Sequence, residues 1–120
     1  MKPVWQRPQA GADIASIADF LRGKSLSSAC RFIEEIEAAY ALQADHPCSG
    51  SARHAELLPE LPAQLRFHPV RHFERILIYY MDLDDRVEVL RVWDATRGLE
   101  ALIDDTGMTD RSIAQRAKKK

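Results

Sequence analysis

The chain has 120 residues, enough for one domain with a small core, and its 46% hydrophobic and 29% charged residues are ordinary for a globular protein. The formal net charge of −1 excludes the strong overall field that marks many nucleic-acid-binding proteins. No apolar run approaches the roughly 20 residues of a membrane helix, and the N-terminus lacks the apolar core of a signal peptide. We therefore expect a cytoplasmic protein that does not contact a membrane.

The first 47 residues predict a short strand followed by two helices. The strand covers residues 4–7. Apolar residues then recur at helical spacing across residues 11–23, with Asp13 placed to favour the N-terminal end of that helix. A second, longer helix begins after Ser25, a plausible N-cap, and ends before Pro47. A short link between two amphipathic helices predicts an antiparallel helical hairpin.

A loop and three strands follow. Residues 45–63 are rich in Pro, Ser and Gly, which is typical of a loop. Residues 64–68 predict a strand that Pro69 ends, and residues 75–81 and 86–93 predict two more strands joined by a tight turn. Three leucines are expected to pin the second half of the loop to the core: Leu57, Leu58 and Leu61.

The central strand has an unbroken apolar run, ILIYY, at residues 76–80. A strand with one wet face should alternate between apolar and polar residues, and this one does not. Both faces of the sheet must therefore be covered, either by the rest of the chain or by a partner. In a chain this short, we expect the cover to be incomplete until a second polypeptide binds.

The elements together predict an α+β fold, in which an N-terminal helical hairpin packs on a small antiparallel β-sheet and a short C-terminal helix follows. Leu99, Leu102 and Ile103 indicate that last helix. We expect a single domain over residues 1–103 and a tail over residues 104–120. Ile113 is the only large aliphatic residue of the tail's final stretch, too little to anchor an isolated helix, so we expect the tail to be frayed or ordered by a partner.

Cysteine and histidine usage predicts neither a metal nor a cofactor. Cys30 and Cys48 are interpreted as reduced thiols, because neither their spacing nor a cytoplasmic location suits a disulfide. His68 and His72 have no third ligand nearby at a suitable spacing.

Three blocks of sequence, in this order and at this spacing, resemble the RelE/ParE toxins of type II toxin–antitoxin systems. They are residues 12–21, residues 65–80 (LRFHPVRHFERILIYY) and residues 85–103 (DRVEVLRVWDATRGLEALI). The last block is more similar to the ParE branch than to the RelE branch. Arg91, Val92 and Arg97 fit the ParE pattern, whereas Asp94 stands where that pattern has His and Gly98 where it has Asp.

The resemblance implies a ParE-like toxin that inhibits DNA gyrase, arrests growth, stabilises plasmids and is neutralised by a small DNA-binding antitoxin in a hetero-oligomer. Such an inhibitor works by binding, so no catalytic residue is expected. Arginine suits binding because its planar fork pairs with carboxylates and phosphates. The predicted target-binding residues are Arg71, Arg91, Trp93 and Arg97. Two other interpretations stay open: the arginines pair with Asp94 or Glu88, and Trp93 belongs to the core.

The alternative function is that of a RelE-like, ribosome-dependent mRNA endoribonuclease. Metal-free RNA cleavage needs a base, an acid and cations that stabilise the developing charge. The residues available for it are Arg66, His68, Arg75 and Arg97, with His72 as a second histidine. RelE-like ribonucleases resemble one another in having lysines on the sheet and a tyrosine soon after the last arginine, and this chain has neither. Gyrase inhibition is therefore the preferred hypothesis.

Overall fold

A computed structural model describes residues 1–104, and its elements follow the predicted order. The strands are β1 (Val4–Gln6), β2 (Arg66–Val70), β3 (Phe73–Asp82) and β4 (Val87–Asp94), and the helices are α1 (Pro8–Lys24), α2 (Leu26–Asp45) and α3 (Leu99–Asp104). Short 3-10 turns cover Pro47–Ser49, Ala55–Leu57 and Ala95–Arg97. The α+β fold class is confirmed.

The helical hairpin forms as predicted, with small shifts at its ends. The helix α1 begins at Pro8, where a proline in the first turn costs no hydrogen bond. The Ser25 hydroxyl accepts a hydrogen bond from the Ser28 amide at 3.3 Å, which confirms the predicted N-cap of α2. The outer side of the hairpin carries exposed apolar side chains, since Leu26 is 66% and Ile33 37% exposed.

The four strands form one sheet in the order β1-β4-β3-β2. The pairs β2–β3 and β3–β4 are antiparallel, as predicted, whereas β1 pairs with β4 in parallel. A parallel neighbour requires a long crossover, and the chain between β1 and β4 provides it. The sheet is therefore mixed.

Strand β2 runs through Pro69, so the prediction that Pro69 ends it was wrong. Pro69 pairs with Leu77, and the register shifts between Pro69 and Val70. Because β2 lies at the edge of the sheet, a residue without an amide hydrogen is tolerated there.

The chain covers both faces of the central strand itself. Ile76, Ile78 and Tyr80 pack in one cluster with the helical hairpin. The alternate side chains of β3 pack in a second cluster under the loop before β2 and under α3. Two of the three predicted anchors lie in it: Leu58 and Leu61 are 2% and 7% exposed, whereas Leu57 is 37% exposed and does not anchor the loop. The expectation that the chain leaves a face of this strand uncovered was therefore wrong. An open groove lies beside the sheet instead and is described below.

The predicted tail lies almost wholly outside the described residues, so the domain limits remain predictions. No helix within residues 1–104 is long and apolar enough to cross a membrane. Cys30 and Cys48 are exposed, free thiols.

Candidate partner-binding groove and arginine rim

An open groove of roughly 570 Å³ lies between α1 and the end of the sheet where β3 begins and β4 ends. On the α1 side its wall is apolar, formed by Ile17, Phe20 and Leu21, and Phe20 is 60% exposed. On the sheet side Phe73 and Ile76 continue the apolar lining. An apolar groove with an exposed aromatic side chain at its edge is the kind of surface that receives a peptide segment.

Asp13, which lines this groove, belongs to a buried ion pair. The Asp13 carboxylate accepts hydrogen bonds from Arg91 Nε and Nη2 at 2.7 and 2.8 Å, and from the Val92 amide at 3.0 Å. Asp13 therefore links α1 to β4. The sequence analysis had placed it at the N-terminal end of the helix, but α1 begins five residues earlier, at Pro8. Arg91 is 1% exposed, so the structure contradicts its predicted role as a surface contact. The acid that accepts these hydrogen bonds is Asp13, which the sequence analysis did not consider as a partner of Arg91.

On the sheet side the groove is also lined by Arg75, Asp94 and Arg97, which we call the arginine rim, and by Glu74, whose carboxylate accepts a hydrogen bond from the His72 amide. Arg75 Nη2 lies 3.9 Å from Asp94 Oδ2, and both Arg75 and Arg97 are exposed. Partial burial raises the pKa of Asp94, but hydrogen bonds from Thr96 and the charges of the two arginines outweigh this and lower the pKa below its ordinary value. The Asp94 carboxylate is therefore ionised, and two cations flank it.

The Trp93 ring supports the rim from below. Trp93 is 1% exposed, and its Nε1–H donates to the Gly98 carbonyl at 3.2 Å. The Arg97 guanidinium carbon lies 4.0 Å from the centroid of that ring. Trp93 thus belongs to the core, which is the interpretation left open above, and Arg97 is the predicted target-binding residue that reaches the groove surface.

The sequence was compared with those of known protein families. The family model described as the ParE toxin of the type II toxin–antitoxin system, parDE, matches residues 4–99. The chain belongs to the ParE toxin family. The match confirms the resemblance, and membership of a toxin–antitoxin system implies an antitoxin partner.

A solved structure shows the same fold. A structure described as the chromosomal ParDE TA system from P. aeruginosa is similar to this chain, with a TM-score of 0.61 and 16% sequence identity, over 77% of this chain and 94% of that one. Such an identity shows the fold alone. No curated protein sequence matched the chain.

The fourth residue predicted to bind the target of this ParE toxin, Arg71, lies in the turn between β2 and β3. It is exposed and does not line the groove. Its neighbour His72 does line the groove, with φ of 69° and with Nε2 3.8 Å from Glu35 Oε2. The structure therefore brings Arg97 and Arg75 together at the rim and leaves Arg71 at a separate turn.

The residues proposed for a ribonuclease fall into two separate groups. Arg66 pairs in register with Tyr80, five positions along β3 from Arg75, which corresponds to about 17 Å. Arg66 donates to the Cys48 and Gly50 carbonyls, away from the groove. His68 lies with Arg66 near residues 48–50, whereas His72 lines the groove with Arg75 and Arg97, so the two histidines belong to different groups.

His68, the proposed base, is held within the fold. Its two ring nitrogens contact Gln43 Nε2 at 3.2 Å and Ser49 Oγ at 3.0 Å, and the ring stacks on Tyr80 at 5.3 Å. Burial lowers the pKa of His68. These contacts give the imidazole a structural role that links β2 to α2 and to the turn after it.

Sequence reasoning missed the groove wall. The sequence analysis places Phe20 in the first block of the family resemblance, residues 12–21, and assigns it no contact. The sequence does contain a signal for the groove wall. Phe20, next to Leu21, makes the apolar face of α1 wider than the stripe that packs on the core. In residues 1–104, no three His, Cys, Asp or Glu side chains come together as a metal site.

Proposed function

We propose that the chain is a cytoplasmic ParE toxin that inhibits DNA gyrase by binding and that a cognate, small DNA-binding antitoxin neutralises. The observation that carries the proposal is Arg97, exposed at the open end of the groove and stacked on Trp93. An inhibitor needs a fixed contact residue and no acid–base pair, and this is what the rim offers. Growth arrest follows from gyrase inhibition, and plasmid stabilisation follows where a plasmid carries the pair.

The groove is the proposed docking site of the antitoxin. Its apolar walls suit one apolar face of a helical or extended segment. Exposed Arg75 and Arg97 at its end suit acidic residues on that segment, since arginine forks pair with carboxylates. Toxin and antitoxin then form a hetero-oligomer in which the partner covers the groove that the chain leaves open.

The target is tested with the purified protein in two assays. In a gyrase supercoiling and cleavage assay we expect loss of supercoiling and accumulation of cut DNA. In primer extension on translated mRNA we expect no new ends. New mRNA ends together with unaffected supercoiling would overturn gyrase inhibition in favour of the ribonuclease alternative.

The docking site is tested with two exposed aromatic residues of nearly equal exposure. Phe20, in the groove wall, is 60% exposed, and Trp5, outside the groove, is 59% exposed. Loss of a phenyl ring from an interface is expected to weaken antitoxin binding by roughly tenfold or more in Phe20→Ala. Trp5→Ala is the control and should bind as the wild type does. Equal affinities for the two variants, measured by calorimetry with the co-expressed antitoxin, would place the antitoxin elsewhere.

A further inference from the structure

Within the segment 93–98, the exposed side chain of Arg97 rests on a buried ring that is itself held in place. The Arg97 guanidinium lies 4.0 Å from the Trp93 ring centroid, and that ring is itself held by the hydrogen bond from Nε1 to Gly98. A guanidinium that rests on an indole face keeps its N–H donors at the edge of the plane, where a partner can reach them. Arg97 is thus exposed and oriented at the same time.

Asp94 holds the backbone that carries Arg97. Its Oδ1 accepts from the Thr96 amide at 3.0 Å and from the Thr96 hydroxyl at 2.7 Å, which caps the 3-10 turn Ala95–Arg97. The Gly98 amide closes the same turn on the Ala95 carbonyl at 3.1 Å. Gly98 has φ of +85° with nothing within 4 Å of an added Cβ, so the turn needs glycine for its backbone conformation and not for space.

From this geometry we infer that Asp94 and Trp93 are positioning residues, which hold Arg97 in the orientation in which the toxin contacts its target. The inference rests on the proposed function, because it assigns how the toxin's contact residue is presented. Asp94 acts through its capping oxygen and Trp93 through its ring face. Neither residue needs to touch the target, since Trp93 is buried and Asp94 Oδ1 accepts hydrogen bonds within the turn.

The alternative is a purely structural role, in which Asp94 only caps the turn that leads to α3. In that case any loss of activity on changing Asp94 would follow a loss of overall stability. The positioning role predicts instead that the orientation of Arg97 and the inhibition change together, while the unfolding midpoint changes little. A second contrast concerns charge: a positioning oxygen can belong to an amide, whereas an electrostatic role needs the carboxylate.

Three variants of the full chain separate these roles. Asp94→Asn keeps the capping oxygen and removes the charge, and Asp94→Ala removes both. Arg97→Lys keeps the positive charge and loses the planar fork. We expect Asp94→Asn to retain more inhibition than Asp94→Ala, which should be about fivefold weaker than the wild type, and we expect Arg97→Lys to be about tenfold weaker.

The orientation itself is read by NMR, independently of gyrase. The ring current of Trp93 should shift the Arg97 Hδ and Hε signals upfield in the wild type and in Asp94→Asn, and Asp94→Ala should move them toward free-arginine positions. The Arg97→Lys spectrum assigns these signals by their loss. Unfolding midpoints of all variants serve as the stability control.

The outcomes distinguish this inference from the proposed function. If the wild type does not inhibit supercoiling, the proposed function fails, and the NMR comparison still decides whether Asp94 and Trp93 hold Arg97. If the Arg97 signals of the wild type are unshifted, or if Asp94→Ala leaves them and the inhibition unchanged, the positioning role is overturned. If Asp94→Asn is as weak as Asp94→Ala, the carboxylate charge and not the cap matters, and the positioning role is again overturned.

Discussion

Two arginines six positions apart on the same stretch of chain, Arg91 and Arg97, have opposite surroundings. Arg91 is 1% exposed and gives two hydrogen bonds to Asp13, beneath the groove. Arg97 is exposed at the end of the groove and rests on Trp93. Both were predicted to bind the target, so the difference teaches that burial, and not residue type or family pattern, assigns an arginine its role.

The two arginines should also differ in how much they contribute to the free energy of unfolding. A buried ion pair is desolvated, so removing one partner leaves an uncompensated charge in the interior. An exposed guanidinium remains hydrated and screened, so its loss costs the fold little. The three substitutions below test this gradient from the interior to the surface.

The largest effect on stability is expected for Arg91→Ala. It leaves the Asp13 carboxylate buried at 9% exposure without the guanidinium that neutralises it. We expect the free energy of unfolding to fall by about 3–5 kcal/mol, measured by urea denaturation at pH 7.

A double variant sharpens this prediction. In Asp13→Leu/Arg91→Met both charges are replaced by apolar side chains, and most of the lost stability should return. A loss below about 1 kcal/mol in Arg91→Ala would mean that the pair is hydrated in solution. That result would erase the contrast with Arg97.

An intermediate effect is expected for Glu88→Gln, at the partly buried pairing of β4 with β1. Glu88 accepts hydrogen bonds from Arg7 and Arg86, and its side chain is 13% exposed. Partial burial raises the pKa of Glu88, but the hydrogen bonds and charges of these arginines prevail and lower it from its ordinary value of 4.5. We expect the substitution to cost about 1 kcal/mol at pH 7.

The pH dependence of that loss follows from the lowered pKa. The unfolded chain takes up the Glu88 proton at a higher pH than the folded one, so the stabilisation is complete above the ordinary value of 4.5. It is lost as the pH falls through the folded pKa. The stability difference between wild type and Glu88→Gln should therefore shrink below pH 4.5, and a difference that is constant with pH would contradict this assignment.

The sequence was sufficient for the elements and for the fold class, because these depend on local patterns. Helical spacing, the Ser25 cap and the apolar hairpin strands each gave an element within a few residues of its observed place. The parallel pairing of β1 with β4 could not be predicted from local patterns, because a three-residue strand is too short to distinguish parallel from antiparallel pairing.

The site was harder to predict because a β-bulge changes the alternation of β4. Tyr80 pairs with Val89 and Tyr79 pairs with Arg91, so Leu90 is an extra residue on β4. After the bulge, Val92 packs with the helices and Trp93 with the opposite cluster. Strict alternation from Val89 would reverse these two assignments, so the bulge is what sends Trp93 into the core beneath Arg97. The residue types around Leu90 do not predict this bulge.

The smallest effect on stability is expected for Arg97→Glu, and it is the most informative about function. The side chain is exposed, so unfolding free energy should change by less than about 0.5 kcal/mol. Growth arrest on expression and gyrase inhibition by the purified protein should nevertheless be lost, because the rim then presents an acid where the target meets a cation. Arg31→Glu, an equal charge change at an exposed position of α2 outside the groove, is the matched control and should stay toxic. A stable Arg97→Glu protein with full toxicity would move the target surface away from the rim, and Arg91 and Arg97 would then differ in burial alone and not in function.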